Sequence, residues 1–292
     1  MDGRSVRAAV LGSPISHSLS PVLHRAAYAE LGLTWWRYEA IECDEAGLPA
    51  LLDSCGPDWA GLSLTMPLKR AVLPLLDRAE PVATLVGGAN TVVFAAAQRL
   101  GYNTDATGMV NALTERGVGG PEGISPGPAL IIGAGATACA ALAALAELGE
   151  KSVRVAVRDQ ASTGTFMAVA DRLGLTVTSA PFTVAALHEV RVVISTVPAG
   201  ATDLFAANFS ALVPPPEVLL DVVYHPWPTP LAAAAGRAGA VVASGFDLLL
   251  HQAALQVTLM TDRPAPLERM RQAGLSALAQ RSGGSRSAAA KP

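Results

Sequence analysis

Residues 129–138 read Ala129-Leu130-Ile131-Ile132-Gly133-Ala134-Gly135-Ala136-Thr137-Ala138, and an apolar run continues from there to Leu148. Four apolar residues without a polar interruption read as a strand buried on both faces. The Gly-Ala-Gly after them is a tight turn, and the Ala/Leu-rich run that follows has the composition of a helix. Strand, glycine turn and helix in this order form the first half of a dinucleotide-binding crossover. Gly133 permits the turn, and Gly135 lets backbone N–H groups approach a pyrophosphate seated on the helix N-terminus. Ala138 holds the place of the third glycine, which the pattern allows. Gly133, Ala134, Gly135, Ala136 and Thr137 are therefore the candidate cofactor-binding turn.

Downstream of this turn, strand-like runs at Ser152–Val157, Val190–Ser195, Val218–Val222 and Ala240–Val242 alternate with helical stretches, as a doubly wound parallel sheet demands. The second of its strands ends Val157-Arg158-Asp159, where such folds read the adenosine ribose. An acid there bonds the 2′-hydroxyl and favours NAD, whereas an arginine accommodates the extra phosphate of NADP. Arg158 comes first, so NADP is the expected cofactor and NAD the alternative.

Upstream, the Gly- and Pro-rich stretch Gly117 to Pro128 reads as a linker, and a separate α/β unit precedes it. Its strands are expected at Val6–Gly12, Trp35–Ile41, Gly61–Thr65 and Asn90–Ala95. Its helices are expected at Pro21 to Leu31, Asp44 to Ser54, around Leu73 to Asp77, and from Thr104-Asp105 to about Arg116. Trp35 and Trp36 read as one inward and one outward strand position. In Gly12-Ser13-Pro14-Ile15-Ser16-His17-Ser18-Leu19-Ser20-Pro21, Ser20 is a good N-cap ahead of a proline at the first helical position. Capping does not explain Ser18. A loop at the carboxyl end of a strand that offers two hydroxyls beside a helix N-terminus suits a small carboxylate.

The chain has 292 residues, about two domains' worth. A hydrophobic share of 51% against 15% charged residues excludes a disordered chain, and a net charge of -3 leaves no basic face for nucleic acid. No run is long and apolar enough for a membrane helix, and no signal-peptide core follows Met1, so a cytoplasmic protein is expected. Cys43, Cys55 and Cys139 have neither CxxC spacing nor histidine neighbours, so no metal site is expected. The residues from Ser282 to Pro292 lack periodicity and read as a disordered tail.

Three further blocks carry polar residues: Ser63-Leu64-Thr65-Met66-Pro67-Leu68-Lys69, Gly88-Ala89-Asn90-Thr91 and Gly101-Tyr102-Asn103-Thr104-Asp105. Singly each has an ordinary explanation: Lys69 a solvated lysine, Asn90 a turn former, Asp105 a helix cap. Together with GSPISHSLSP, GAGATA, DVVYHPWPTPL and GFDLLLHQA, in that order over Val6 to Arg281, they strongly resemble the shikimate dehydrogenase family. The resemblance implies NADPH-dependent reduction of 3-dehydroshikimate to shikimate, a step toward chorismate and the aromatic amino acids. It also implies a two-domain α/β fold. A substrate-binding domain spans 1–110 and is completed by 247–281, and a Rossmann domain spans 111–246, with the active site in the groove between them. The partner is then a small-molecule substrate, shikimate or 3-dehydroshikimate, and the assembly a monomer or homodimer.

Residue by residue, the resemblance implies that Ser18 and Ser20 hold the substrate carboxylate with Tyr224. Thr65, Asn90 and Gln252 bind ring hydroxyls, Lys69 and Asp105 form the catalytic pair, and Val197 and Gly245 lie by the nicotinamide. Elementary chemistry agrees on Lys69: hydride delivery to a ketone leaves an alkoxide, which a cation must stabilise or protonate. In the oxidative direction the lysine must be neutral, which its ordinary pKa near 10.4 opposes. This sequence departs from the family at Ser63, where many members have Asn, which shortens one arm toward the ring hydroxyls and points to a wider substrate range. It departs again at Arg158-Asp159 with Ser162, which weakens NADP preference, and at Asp247, which replaces a glycine and is assigned either to capping or to catalysis. A quinate/shikimate dehydrogenase using NAD is the nearest alternative, and a non-catalytic dinucleotide sensor the alternative of another class.

Overall fold

The computed structural model describes residues 5–119, 128–209 and 214–288. The chain folds as two compact units, residues Met1–Thr104 with Leu249–Pro292 and residues Asp105–Leu248. Both boundaries fall inside helices, so each crossing is made by continuous helical backbone.

The first unit begins with β1 (Val6–Gly12), α1 (Ser20–Glu30), β2 (Trp36–Glu42), α2 (Leu48–Ser54), β3 (Trp59–Leu64) and α3 (Leu68–Ala71). It continues with β4 (Arg78–Ala79), α4 (Pro81–Val86), β5 (Thr91–Ala95) and β6 (Gln98–Tyr102). The strands form a six-stranded sheet in the order β2-β1-β3-β5-β6-β4. β1 is parallel to both neighbours, and Ala8 through Leu11 are buried, as a central parallel strand requires. β5 runs antiparallel to β3 and to β6. The expectation of four strands missed the two-residue edge strand β4 and also β6, the latter because β5 and β6 are joined by Ala96-Ala97. Both alanines take positive φ, of 50° and 60°, where a two-residue hairpin ordinarily signals itself with Asn or Gly. Trp36 packs against Tyr28, with ring centroids 5.1 Å apart, while Trp35 is exposed. One face of the sheet is covered by a core that includes Leu11, Leu48, Leu52, Leu62, Leu68 and Val92.

α5 (Thr104–Glu115) leads into the second unit, and of the expected linker 117–128, residues 120–127 lie outside the described residues. There follow β7 (Ala129–Ile132), α6 (Ala136–Glu147), β8 (Ser152–Ala156), α7 (Gly164–Leu173), β9 (Thr176–Ala180) and β10 (Val192–Ser195). Then come α8 (Asp203–Ala207), β11 (Val218–Asp221), α9 (Pro230–Arg237) and β12 (Val241–Ser244). All six strands are parallel, in the order β12-β11-β10-β7-β8-β9. Numbered within the unit and read from the far edge, this is 3-2-1-4-5-6, the doubly wound dinucleotide-binding order. Every residue of β7, β10 and β11 is buried, and all but Ser195 and Asp221 at the strand ends are apolar, as a sheet covered on both faces requires.

α10 (Gly245–Thr261) returns the chain to the first unit, where α11 (Leu267–Ala288) packs on α1. The helical backbone of α11 passes Ser282, where composition predicts disorder. Each further residue costs little once the packed turns before it have nucleated the helix. Residues 289–292 lie outside the described residues.

Candidate active site

In the first unit, the two adjacent parallel strands β1 and β3 deliver their loops side by side. The Thr65 N–H donates to the Leu11 carbonyl at 2.9 Å, and the Ser13 N–H to that of Met66 at 3.0 Å. Glu42 on β2 braces the serine loop, accepting the Ser13 hydroxyl at 2.7 Å and the Ile15 N–H at 3.0 Å. Arg281 of α11 holds its far end by donating to the His17 carbonyl at 2.7 Å. Ser18 is half-buried, and its Oγ accepts the Ser20 N–H at 3.2 Å. The cap expected of Ser20 is thus supplied by Ser18. The helix starts one residue earlier than expected, so Ser20 is its first residue, and the residue ahead of it, Leu19, has no polar side chain to offer. Ser20 itself is buried.

Lys69 sits in the single turn of α3, immediately after the Thr65 loop. Its carbonyl accepts the Ala89 N–H at 2.8 Å, so its backbone lies against the segment that carries Asn90. Asn90 is buried, and its Oδ1 accepts the Thr104 N–H at 2.8 Å and the Thr91 hydroxyl at 2.9 Å. Its amide donates to the Thr104 hydroxyl at 2.9 Å and to Gln252 Oε1 at 3.4 Å. The first unit therefore gathers Ser18, Ser20, Thr65, Lys69, Asn90 and Gln252 around the carboxyl ends of β1 and β3 and the start of β5, the end at which open α/β sheets take their ligands.

The second unit holds the remaining expected residues. Asp105 is buried in the first turn of α5, next in the chain to Thr104. Gly133 has φ +107°, and a Cβ there would stand 2.6 Å from Thr196 Oγ1 and 3.1 Å from Val197 Cγ1, so only glycine fits and the turn lies against Val197. A Cβ on Gly135 would meet nothing within 4 Å, so the space beside the α6 N-terminus is open, and no side chain caps that helix. Ala134, Ala136 and Thr137 are half-buried around it. Arg158 is exposed just past β8, while Asp159 Oδ1 accepts the Ala161 N–H at 2.9 Å. The acid is spent on capping a 3-10 turn and the guanidinium faces solvent, an arrangement that fits a 2′-phosphate better than a bare ribose. Open helix N-terminus, glycine turn and exposed arginine together fit a dinucleotide.

Tyr224 lies in the loop after β11, whose two ends are pinned by Asp221: its Oδ2 accepts the Thr229 hydroxyl at 2.7 Å and its Oδ1 the Val223 N–H at 3.2 Å. Burial raises the Asp221 pKa. Gly245 begins α10 where a Cβ would collide with the Val222 carbonyl oxygen, so the start of α10 lies directly on this loop. No group of three or more His, Cys, Asp or Glu suited to a metal occurs among the described residues.

Residues 10–92 match the family model of the shikimate dehydrogenase substrate binding domain, and residues 245–273 that of the shikimate 5'-dehydrogenase C-terminal domain. A shikimate dehydrogenase (NADP(+)) of Citrifermentans bemidjiense is 37% identical over 86% of this chain and 88% of its own. The chain belongs to the shikimate dehydrogenase family. Among solved structures, the shikimate dehydrogenase of Mycobacterium tuberculosis is 42% identical with a TM-score of 0.83, over 93% of this chain and 99% of that one. That of Thermus thermophilus, in complex with NADP(H) and shikimate, is 32% identical with a TM-score of 0.80, over 93% and 99%.

Two of the departures from the shikimate dehydrogenase pattern have a structural account. The Ser63 hydroxyl is buried between Tyr38, whose OH donates to it at 2.6 Å, and Gln256 Oε1, to which it donates at 2.7 Å. Asp247 forms a capping box with Ser244, accepting its N–H at 2.7 Å and its hydroxyl at 2.9 Å while donating its own N–H back at 3.3 Å. Arg116 Nη2 lies 3.0 Å from both Asp247 carboxylate oxygens, so the choice between capping and catalysis falls to capping. Sequence reasoning did not single out Tyr38, Thr91, Thr104, Gln256, Glu42 or Arg281. Gln256 alone had a local signal, lying four residues after Gln252 and so on the same helix face.

Proposed function

We propose that this chain catalyses the reversible NADPH-dependent reduction of 3-dehydroshikimate to shikimate. The observation that carries this reading is the convergence of Ser18, Thr65, Lys69, Asn90 and Gln252 on one end of the first sheet. It occurs in a chain whose second sheet has the 3-2-1-4-5-6 order with an open glycine turn. When bound, NADPH supplies the hydride. Ser18 and Ser20 hold the substrate carboxylate together with Tyr224, and Thr65, Asn90 and Gln252 fix the ring hydroxyls. Lys69 stabilises the oxygen that gains charge and gives it a proton, and Asp105 orients the ammonium. Arg158 takes the 2′-phosphate.

A second reading, in which quinate is also oxidised, is favoured by Ser63, whose hydroxyl is turned onto Tyr38 and Gln256 and extends no arm to the substrate. We place the protein in the cytoplasm, as a monomer or homodimer. Its cysteines are all free thiols, and among the described residues no helix is long and apolar enough to cross a membrane. The test is the initial rate of absorbance change at the nicotinamide band with shikimate or quinate crossed against NADP or NAD. A rate with shikimate and NADP above the other three supports the proposal. Comparable rates with quinate move the chain to the second reading. No rate in any combination overturns both in favour of a sensor.

A further inference from the structure

Behind Asn90 lies a chain of buried polar side chains drawn from strands and helices far apart in sequence. Gln256 is 1% exposed and its amide is saturated. Its Nε2 donates to the Asn90 carbonyl at 3.2 Å and to the Thr91 hydroxyl at 3.0 Å. Its Oε1 accepts the Ser63 hydroxyl at 2.7 Å and lies 3.3 Å from His24 Nε2. His24 in turn stacks on Tyr38, with ring centroids 3.9 Å apart, and Tyr38 donates to Ser63.

Donor and acceptor polarity along this chain is fixed. Gln256 must present nitrogen to the Asn90 carbonyl, which can only accept, so its oxygen faces Ser63. The Thr91 hydroxyl accepts from Gln256 and therefore has its hydrogen left for Asn90 Oδ1, 2.9 Å away. That donation, with the Thr104 N–H at 2.8 Å on the same oxygen, sets which end of the Asn90 amide is oxygen and which is nitrogen.

We propose that Gln256, acting through Thr91, is a positioning residue for substrate: it holds the Asn90 side chain in the one orientation that matches the donors and acceptors of the substrate's ring hydroxyls. This deepens the reading of Asn90 given above and rests on it. The relay touches neither cofactor nor reacting carbon, so its loss weakens substrate binding and leaves cofactor binding alone. Ser63, Tyr38 and His24 form the back wall that keeps the Gln256 amide from turning over.

The test is steady-state kinetics on Thr91→Val, which keeps the shape of the side chain and removes the hydroxyl, alone and combined with Asn90→Ala. Thr91→Val is expected to raise the KM for shikimate about tenfold, the size of one buried hydrogen bond lost, with the KM for NADP unchanged. Thr91→Ser is expected to restore it, and in the Asn90→Ala background Thr91→Val is expected to add nothing. Should Thr91→Val fail to fold, Gln256→Leu and Ser63→Ala are read by the same comparison. An unchanged KM for shikimate, or an equal rise with and without Asn90, overturns the positioning role while leaving Asn90 on the substrate. An Asn90→Ala variant with an unaltered KM overturns the substrate reading of Asn90, and the relay's role with it.

Discussion

Replacing Asp247 with alanine separates a capping group from a catalytic one. The carboxylate accepts two hydrogen bonds from Ser244 at the start of α10 and lies 3.0 Å from Arg116 Nη2 through both oxygens. Losing the cap costs about 1 kcal/mol. Losing the charge-assisted contact costs about 1.5–3 kcal/mol where the partner is left dry. The Arg116 side chain is 39% exposed, so water recovers part of that, and the low end applies. The sum, about 2–3 kcal/mol, corresponds to a fall in melting temperature of roughly 4–12 °C for a protein of this size. Asp247→Asn keeps an acceptor for Ser244 and is expected to lose about half as much. The assay is thermal unfolding followed by circular dichroism, together with the shikimate oxidation rate at a temperature where the variant stays folded. A melting temperature lowered by less than about 2 °C refutes the reasoning. A rate reduced more than about tenfold in a fully stable variant would instead make Asp247 part of the chemistry.

Four further outcomes are expected. Lys69→Ala is expected to lower turnover at least about a hundredfold with little change in cofactor affinity, measured by initial rates and NADP titration; turnover within a few-fold of the parent removes the lysine from proton transfer. Arg158→Ala is expected to raise the KM for NADP at least about tenfold and leave that for NAD unaltered, since only the phosphate loses its partner; an equal effect on both would show that the arginine does not read the phosphate. Gly133→Ala introduces a Cβ 2.6 Å from Thr196 Oγ1 at a φ of +107°. It is expected to destabilise the second unit by about 1–3 kcal/mol and weaken NADP binding, measured by urea unfolding and fluorescence titration, and full stability would contradict the turn geometry. Burial lowers the His24 pKa from 6.5 to about 3, so the unfolded chain binds its proton first. Stability held above pH 6.5 is therefore lost as pH falls toward 3, by about 2 kcal/mol between pH 6.5 and 5. His24→Gln is expected to flatten that slope in urea unfolding at the two pH values, and an unchanged slope would assign the acid sensitivity elsewhere.

The second unit was the more legible of the two. Ala129 to Thr137 announces strand, turn and helix through local composition alone, and the central strands β10 and β11 are apolar up to their last residues because both faces of their sheet are covered. The first unit was harder wherever the chain breaks a local rule. Ala96 and Ala97 turn a hairpin without Asn or Gly, which hid β6, and Leu19 precedes a helix that Ser20 was expected to cap. The blocks around Lys69, Asn90 and Gln252 stood out as motifs. The hydrogen bonds that hold Asn90 did not, since Ser63, Thr91 and Gln256 meet across 165 to 193 residues of chain and nothing local to any of them points to the others. Long-range hydrogen bonds leave no period in a sequence, whereas sheets and helices do.

The interruption of the first unit by the second bears on how the chain is made. Asp105–Leu248 is contiguous, but the first unit needs Leu249–Pro292, which leaves the ribosome after it. Until α10 arrives, Ser63, Thr91 and His24 face one another without Gln256, and α1 lacks the helix that packs on it. The dinucleotide-binding unit can therefore close while synthesis is still under way, whereas the unit that begins upstream of it waits half-built for the later helices, with apolar surface open to chaperones. A stop codon shortly after Leu248 would thus leave a sound cofactor-binding module joined to a first sheet that cannot finish folding.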